Sequence, residues 1–173
     1  PQAVLALMQE YGISARLTFS NSLLKEEHLK DHRCNALCRL FVEDNGMEKY
    51  NVQKNDSIEN RNVRNGIIIY SDLLLHYLQK QYPGFYFVSS TTKVLTDFRE
   101  LLQEVNREEF RYVVPDFRLN KQFDKWNTLT VDQKDKIEFL SNECCRFGCK
   151  DRKSCYETVS RKNLGEAIPD YPC

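Results

Sequence analysis

The sequence predicts an α/β protein in which parallel strands alternate with helices. Two observations carry this prediction: short apolar or alternating runs recur along the chain, and amphipathic helical segments separate them. Parallel neighbours cannot be joined by a tight hairpin, so the helices between the strands serve as right-handed crossovers. Five such units make either most of a (β/α) barrel or a complete small doubly wound sheet. A full barrel takes about 250 residues and eight strands. The length of 173 residues therefore suits the small sheet, or a barrel of which this chain is a part.

Val4 to Tyr11 reads as a helix ended by Gly12. Ile13, Ala15, Leu17 and Phe19 then alternate with polar neighbours, the period of a half-buried strand over 13–19. From Lys25 to Phe41, the residues Cys34, Leu37, Cys38 and Phe41 recur at three- and four-residue spacing, one apolar stripe of a helix that needs a sheet to cover. Residues 44–65 are crowded with Asn, Asp, Lys and Glu and read as a polar insertion or mobile loop. Gly66 to Tyr70 is a β-branched run suited to burial on both faces, and Ser71 caps a helix over Asp72 to Gln81 that Pro83 and Gly84 terminate. Phe85 to Ser90 gives a third strand, Thr96 to Val105 a third helix, and Arg111 to Val114 a fourth strand closed by Pro115. Thr130 and Gln133 form a capping box, Ile137 to Leu140 a fifth strand, and 142–173 is a cysteine-rich segment.

Residues 1–173 make one domain, with 41% hydrophobic residues to build a core. Basic and acidic residues both number 25, so the long-range attraction that draws basic proteins to phosphate backbones is missing, and non-specific nucleic-acid binding is not expected. No apolar run approaches the ~20 residues of a membrane span, and the opening PQAVLALMQEYG has neither a basic start nor a small-residue cleavage site. The expected location is cytoplasmic. Pro1 in place of a starting Met suggests a piece of a longer chain. With six glycines and neither phosphate-binding glycine motif, the common nucleotide-binding readings lose their support.

Ligands of parallel α/β folds gather at the carboxyl ends of strands. Those ends carry Ser20 and Asn21, Ser71 and Asp72, Ser89 to Thr92, Asp116, and Asn142 with Glu143. Ser71, Ser90, Asn142 and Arg152 are candidate substrate-binding residues, although Ser and Thr at such places also serve as helix caps. Asp116 and Glu143 each follow an apolar strand, and two neighbouring carboxylates can split their pKa values into an acid and a base. Either could equally be a cap, or a salt-bridge partner for Lys121 or Arg152.

Five of the seven cysteines fall in the last thirty residues, a distribution unlike a disulfide framework. Cys145, Cys149, Cys155 and Cys173 are candidate metal ligands, with Cys144 spare, because clustered thiolates select zinc or an iron–sulfur cluster over hard cations. Structural zinc usually shows two short knuckles; only Cys145 to Cys149 is short here, which leans toward a cluster. Cys34 and Cys38 share a helical stripe with Leu37 and Phe41 and read as core. His28, His32 and His76 do not lie at strand ends.

The stretch 142–152, NECCRFGCKDR, resembles the N-E-G-C-x3-C-x2-R signature of the collagenase-like peptidases of unknown catalytic type, the "U thirty-two" group, and their iron–sulfur barrel relatives. Upstream, DFRLNKQF over 116–123 is similar to the D-x-x-L-N-x-x-F that follows an earlier strand in that group. The resemblance implies a partial (β/α) TIM-type barrel of about five strands, with the complete small doubly wound sheet as the alternative, and a [4Fe–4S] cluster with Cys145 and Cys149 matching motif cysteines. Cys144 stands where the family has glycine. A partial barrel exposes a sheet edge, so self-association or a missing part of the chain is expected to cover it. The leading functional expectation is an iron–sulfur barrel protein with no substrate named. The alternative is a non-catalytic α/β binding or scaffold protein with structural zinc or no metal. A peptidase ranks third, since no nucleophile, base and oxyanion donor can be assembled.

Overall fold

The computed structural model describes residues 2–44, 64–143 and 145–172. Four strands, β1 (Arg16–Phe19), β2 (Gly66–Ile69), β3 (Tyr86–Ser89) and β4 (Phe110–Val113), form one all-parallel sheet in the sequential order β1-β2-β3-β4. They alternate with α1 (Gln2–Glu10), α2 (His32–Asp44), α3 (Asp72–Gln81) and α4 (Phe98–Val105), and beyond β4 come α5 (Phe123–Asn127), α6 (Val131–Asp135) and α7 (Arg152–Asn163). The α/β class and the parallel sheet match the sequence reading. Among the described residues no helix is long and apolar enough to cross a membrane.

Local signals set most boundaries. Ser71 Oγ accepts from the Leu74 N–H to open α3, Asp97 accepts from Arg99 and Glu100 to open α4, and Thr130 and Gln133 form the reciprocal capping box of α6. The helix read over Lys25 to Phe41 divides into a 3-10 segment, Glu26–Lys30, and α2, because Asp31 takes the Cys34 N–H and starts a new helix. β1 begins only at Arg16, since the Ala15 N–H is taken by Asn65 Oδ1. Residues 45–63 of the polar segment lie outside the described residues; at its end Asn65 is buried and donates to the Phe41 carbonyl.

The fifth strand is reduced to a single parallel bridge, Val113 to Ile137. Asn120 Nδ2 takes the Leu140 carbonyl, and Phe139 packs edge-on against Trp126 at 4.9 Å, so the apolar run is consumed by side-chain packing after one residue of pairing.

The two sheet faces differ. Ile67, Ile69, Phe87, Phe110 and Val113 meet Leu75 and Leu78 of α3, Leu101 and Val105 of α4, and Cys38 of α2 in one buried core. On this face the Ser89 hydroxyl donates to Glu104 (2.6 Å), which also pairs with Lys93 and Arg107. On the opposite face Arg16, Gly66 and Tyr86 share one level of the register. Arg16 donates to the Tyr86 hydroxyl (2.9 Å) and grips Glu138 with both terminal nitrogens (2.5 and 2.6 Å). Glu138 follows the bridge residue Ile137, one position beyond β4. In a flat sheet four interstrand steps put it about 19 Å from β1. Arg and Glu side chains with the bond between them reach about 15 Å at full stretch, and they stand on a sheet rather than along it. The sheet is therefore curled, concave toward Arg16 and Glu138.

Gly66 is a condition of that curl. A Cβ here would lie 2.5 Å from two ring carbons of Tyr86, whose side chain crosses β2 to reach Arg16. Gly66→Ala is expected to displace the ring and lower stability by about 1–3 kcal/mol, read as the shift in urea midpoint. A second expectation concerns pH. Burial pushes the Cys38 thiol up to about 12. An acid that holds its proton longer when folded stabilises fully below its unfolded pKa, and loses that contribution as pH rises toward the folded value. Melting temperature should fall between about pH 9 and 12, and Cys38→Val should make that fall shallower without reversing stability at pH 7.

Candidate functional site

Polar residues beyond β1, β3 and β4 are gathered under one helix. α7 presents Arg152, Tyr156 and Ser160, one turn apart, to the loops that follow the strands. Ser160 accepts from the Ser22 N–H (3.0 Å) and its carbonyl accepts from Asn21 Nδ2 (2.9 Å), both beyond β1. Arg152 donates to Thr91 Oγ1 beyond β3 (3.4 Å) and forms ion pairs with Asp116 beyond β4 (3.3 Å) and with Glu143 (2.5 Å). Its side chain is 2% exposed, and its guanidinium lies over the rings of Phe117 (4.8 Å) and Tyr156 (5.1 Å).

The two carboxylates do not face each other as an acid and base. Arg152 stands between them, and each also holds the cysteine loop. Asp116, with no exposed surface, receives Arg118 Nε at 2.6 Å, and Arg118 Nη1 donates to the Cys149 carbonyl (2.9 Å). Glu143 Oε1 accepts from the Cys145 N–H (3.3 Å). Between these clamps the Cys149 N–H returns to the Arg146 carbonyl (3.0 Å) and Gly148 adopts φ +80°, a left-handed position suited to glycine. The Cys145 and Cys149 side chains lie near enough to influence one another. Burial raises the Cys145 thiol, the adjacent Cys149 thiol raises it further, and Arg152 acts in the opposite direction. Burial opposes the charge on Arg152, yet the Glu143 hydrogen bond and the surrounding negative groups outweigh it and raise the guanidinium above its ordinary value. Burial also pushes Tyr156 up to about 12.

The remaining candidates are placed as follows. Ser71 caps α3; Ser90 is buried, accepts from the Thr92 N–H (3.2 Å) and caps the 3-10 turn Thr91–Lys93, so both make the cap contacts open to any such serine. Asn142 is exposed. Cys155 is half-buried on α7, with its N–H bonded to the Asp151 carbonyl (2.9 Å). Cys144 and Cys173 lie outside the described residues. Among the described residues no group of three or more His, Cys, Asp or Glu side chains is arranged to hold a metal ion, so those residues by themselves do not complete a site. Cys34 is exposed at the start of α2 and Cys38 is buried in the core.

Arg118, Tyr156 and Ser160 were not singled out by sequence. Arg118 has a local signal, since the residue two after a turn-forming Asp returns its N–H to that Asp, here at 3.0 Å. Tyr156 and Ser160 have one only if Arg152 is taken as buried, because both lie on its helical face. No protein family, curated protein or solved structure matches the chain.

Arg152→Met should leave Asp116 and Glu143 without their shared cation and cost about 3–5 kcal/mol. Arg152→Lys should recover only part, because a single ammonium cannot span both carboxylates. Chemical denaturation of the three proteins checks this.

Proposed function

We propose that this chain is an iron–sulfur protein of (β/α)-barrel type, related to the collagenase-like "U thirty-two" group, with the cysteine loop at the carboxyl rim as its metal-binding element. The observation that carries the reading is the loop Cys145–Cys149, whose two thiols influence one another and whose backbone is tied down by Glu143 on one side and Arg118 on the other. A soft metal needs ligands held close before it arrives, and this loop supplies two. Cys155, with Cys144 and Cys173, would supply the others. The bound cluster would supply redox chemistry. Asp116, Glu143, Arg118 and Arg152 would orient the loop and keep its charge balanced.

The barrel part of the proposal draws on strand order and curl. A sequential parallel sheet has no point at which the order reverses, as a doubly wound sheet has, and Arg16 reaching Glu138 bends it in the sense a barrel wall requires. β1 pairs only with β2 among the described strands, and Val4 and Leu7 of α1 are exposed, as is Tyr11 just after it. Further strand–helix units or another copy of the chain would cover both. The reading implies a cytoplasmic setting, where free thiols persist.

One observation favours the second reading, a non-catalytic α/β protein with structural zinc or no metal. Asp116 and Glu143, the carboxylates nearest the loop, are both engaged by arginine. Metal analysis after anaerobic purification separates the two. Brown protein with about equal iron and sulfide is expected, and Cys149→Ser should lose it while Cys38→Ala retains it. Colourless protein with stoichiometric zinc selects the second reading, and a Cys149→Ser variant with full iron content refutes ligation by this loop.

A further inference from the structure

We propose that Arg111 anchors a binding site for a small monocarboxylic acid inside the curl of the sheet. The site is built at the amino ends of the strands, from the first residues of β1 and β3 and the second of β4. The cysteine loop belongs to the opposite end, so this site needs neither a metal nor a closed barrel.

The backbone of β4 sets the anchor in place. Consecutive side chains of a regular strand point to opposite faces, so Arg111 and Tyr112 would part. The register instead steps from Phe87–Phe110 to Val88–Tyr112, which makes Arg111 the extra residue of a bulge, with no partner on β3. Phe110 and Val113 stay in the buried helix-side core, and the two residues between them share the other face with Tyr86. There the Arg111 guanidinium carbon lies 5.2 Å from the Tyr86 ring centroid and 5.3 Å from that of Tyr112. The tyrosine rings meet edge-on at 6.0 Å. Packing against two ring faces restrains the guanidinium while its N–H donors stay available for a bidentate contact.

The same rings carry a second arginine that shows which occupant suits such a seat. Arg16 lies 5.5 and 5.1 Å from the two centroids, and Glu138 takes both of its terminal nitrogens. Arg111 has the ring seat without the counter-charge: it is exposed, and among the described residues its guanidinium has no ion pair and no hydrogen bond. The Tyr86 hydroxyl accepts from Arg16 and keeps its own proton to donate, and the Tyr112 hydroxyl has no partner among the described residues. Two positive charges and one negative leave this cluster one positive charge in excess. A single carboxylate neutralises that excess and matches the guanidinium fork as Glu138 does. A phosphate dianion overshoots it and meets the Glu138 charge.

The test titrates isotope-labelled protein with sodium benzoate at constant ionic strength, sodium chloride being the balancing salt. Nuclear magnetic resonance follows the Arg111 Nε–H signal, identified by its loss in Arg111→Lys, and the Tyr112 backbone N–H. A saturable shift of both signals is expected. Read on Tyr112, the affinity should fall by about tenfold or more in Arg111→Gln and by less in Arg111→Lys, which keeps the charge and loses the fork. Benzamide, the neutral counterpart of benzoate, should give no saturable shift. Drift that never saturates, or binding that is unchanged in Arg111→Gln, would overturn the proposal. Benzamide binding as well as benzoate would remove the role of the charge, and inorganic phosphate binding as tightly as benzoate would remove the assignment to a carboxylate. Cys149→Ser should bind benzoate as the parent protein does, so failure of this site and failure of the metal reading give different results.

Discussion

A guanidinium shut away from water persists only if its charge is met from several sides, and Arg152 imposes that requirement on this protein. Its partners come from stretches that sequence alone keeps far apart: Thr91 after β3, Asp116 after β4, Glu143 ahead of the cysteine loop. Once they converge on one cation, α7 must lie across the strand ends. Arg118 then completes the other half of Asp116 and reaches the Cys149 carbonyl, so the cysteine turn inherits its position from the same ion cluster. Removing one member leaves a buried opposite charge exposed to the core, which is why the cluster holds together as a unit.

The sheet below is organised by a second arginine on its other face. Arg16 needs Tyr86 and Glu138, Tyr86 needs the missing side chain of Gly66, and the resulting bend keeps β1 within reach of the chain beyond β4. Tyr112 adds an edge-on ring against Tyr86 at 6.0 Å, with Arg16 and Arg111 over both rings. The helix-side face is by contrast mainly apolar packing, with polar contacts at Ser89–Glu104 and where the Tyr77 and Tyr82 hydroxyls donate to Asn35. Curl is thus written in polar residues and adhesion in apolar ones.

Much of this was legible in advance because it depends on periodicity. GIIIY and FYFVSS announce buried strands, Ser71 and the Thr130–Gln133 box announce helix starts, and the strand ends point to Asp116, Glu143 and the cysteines. The failures have physical causes as well. Ile137 to Leu140 has the apolar content of a strand, but Trp126 and Asn120 compete for it and win. α7 escapes a hydropathy reading because the residues it buries are Arg152 and Ser160, while Val159 on the same helix is exposed. No pattern of apolar spacing can reveal a helix that docks through charge and hydroxyl groups.

That mode of docking has a thermal consequence. Apolar burial carries a large heat-capacity change and strengthens its hold as a protein is warmed from the cold, whereas contacts among charged and hydroxyl groups carry little or the opposite sign. The attachment of α7 to the strand ends and the cohesion of the sheet with α3 and α4 therefore follow different temperature curves. The desolvation cost of a buried ion cluster falls on warming while apolar stabilisation levels off, so the charged seat of α7 gains on the layer beneath it as the temperature rises.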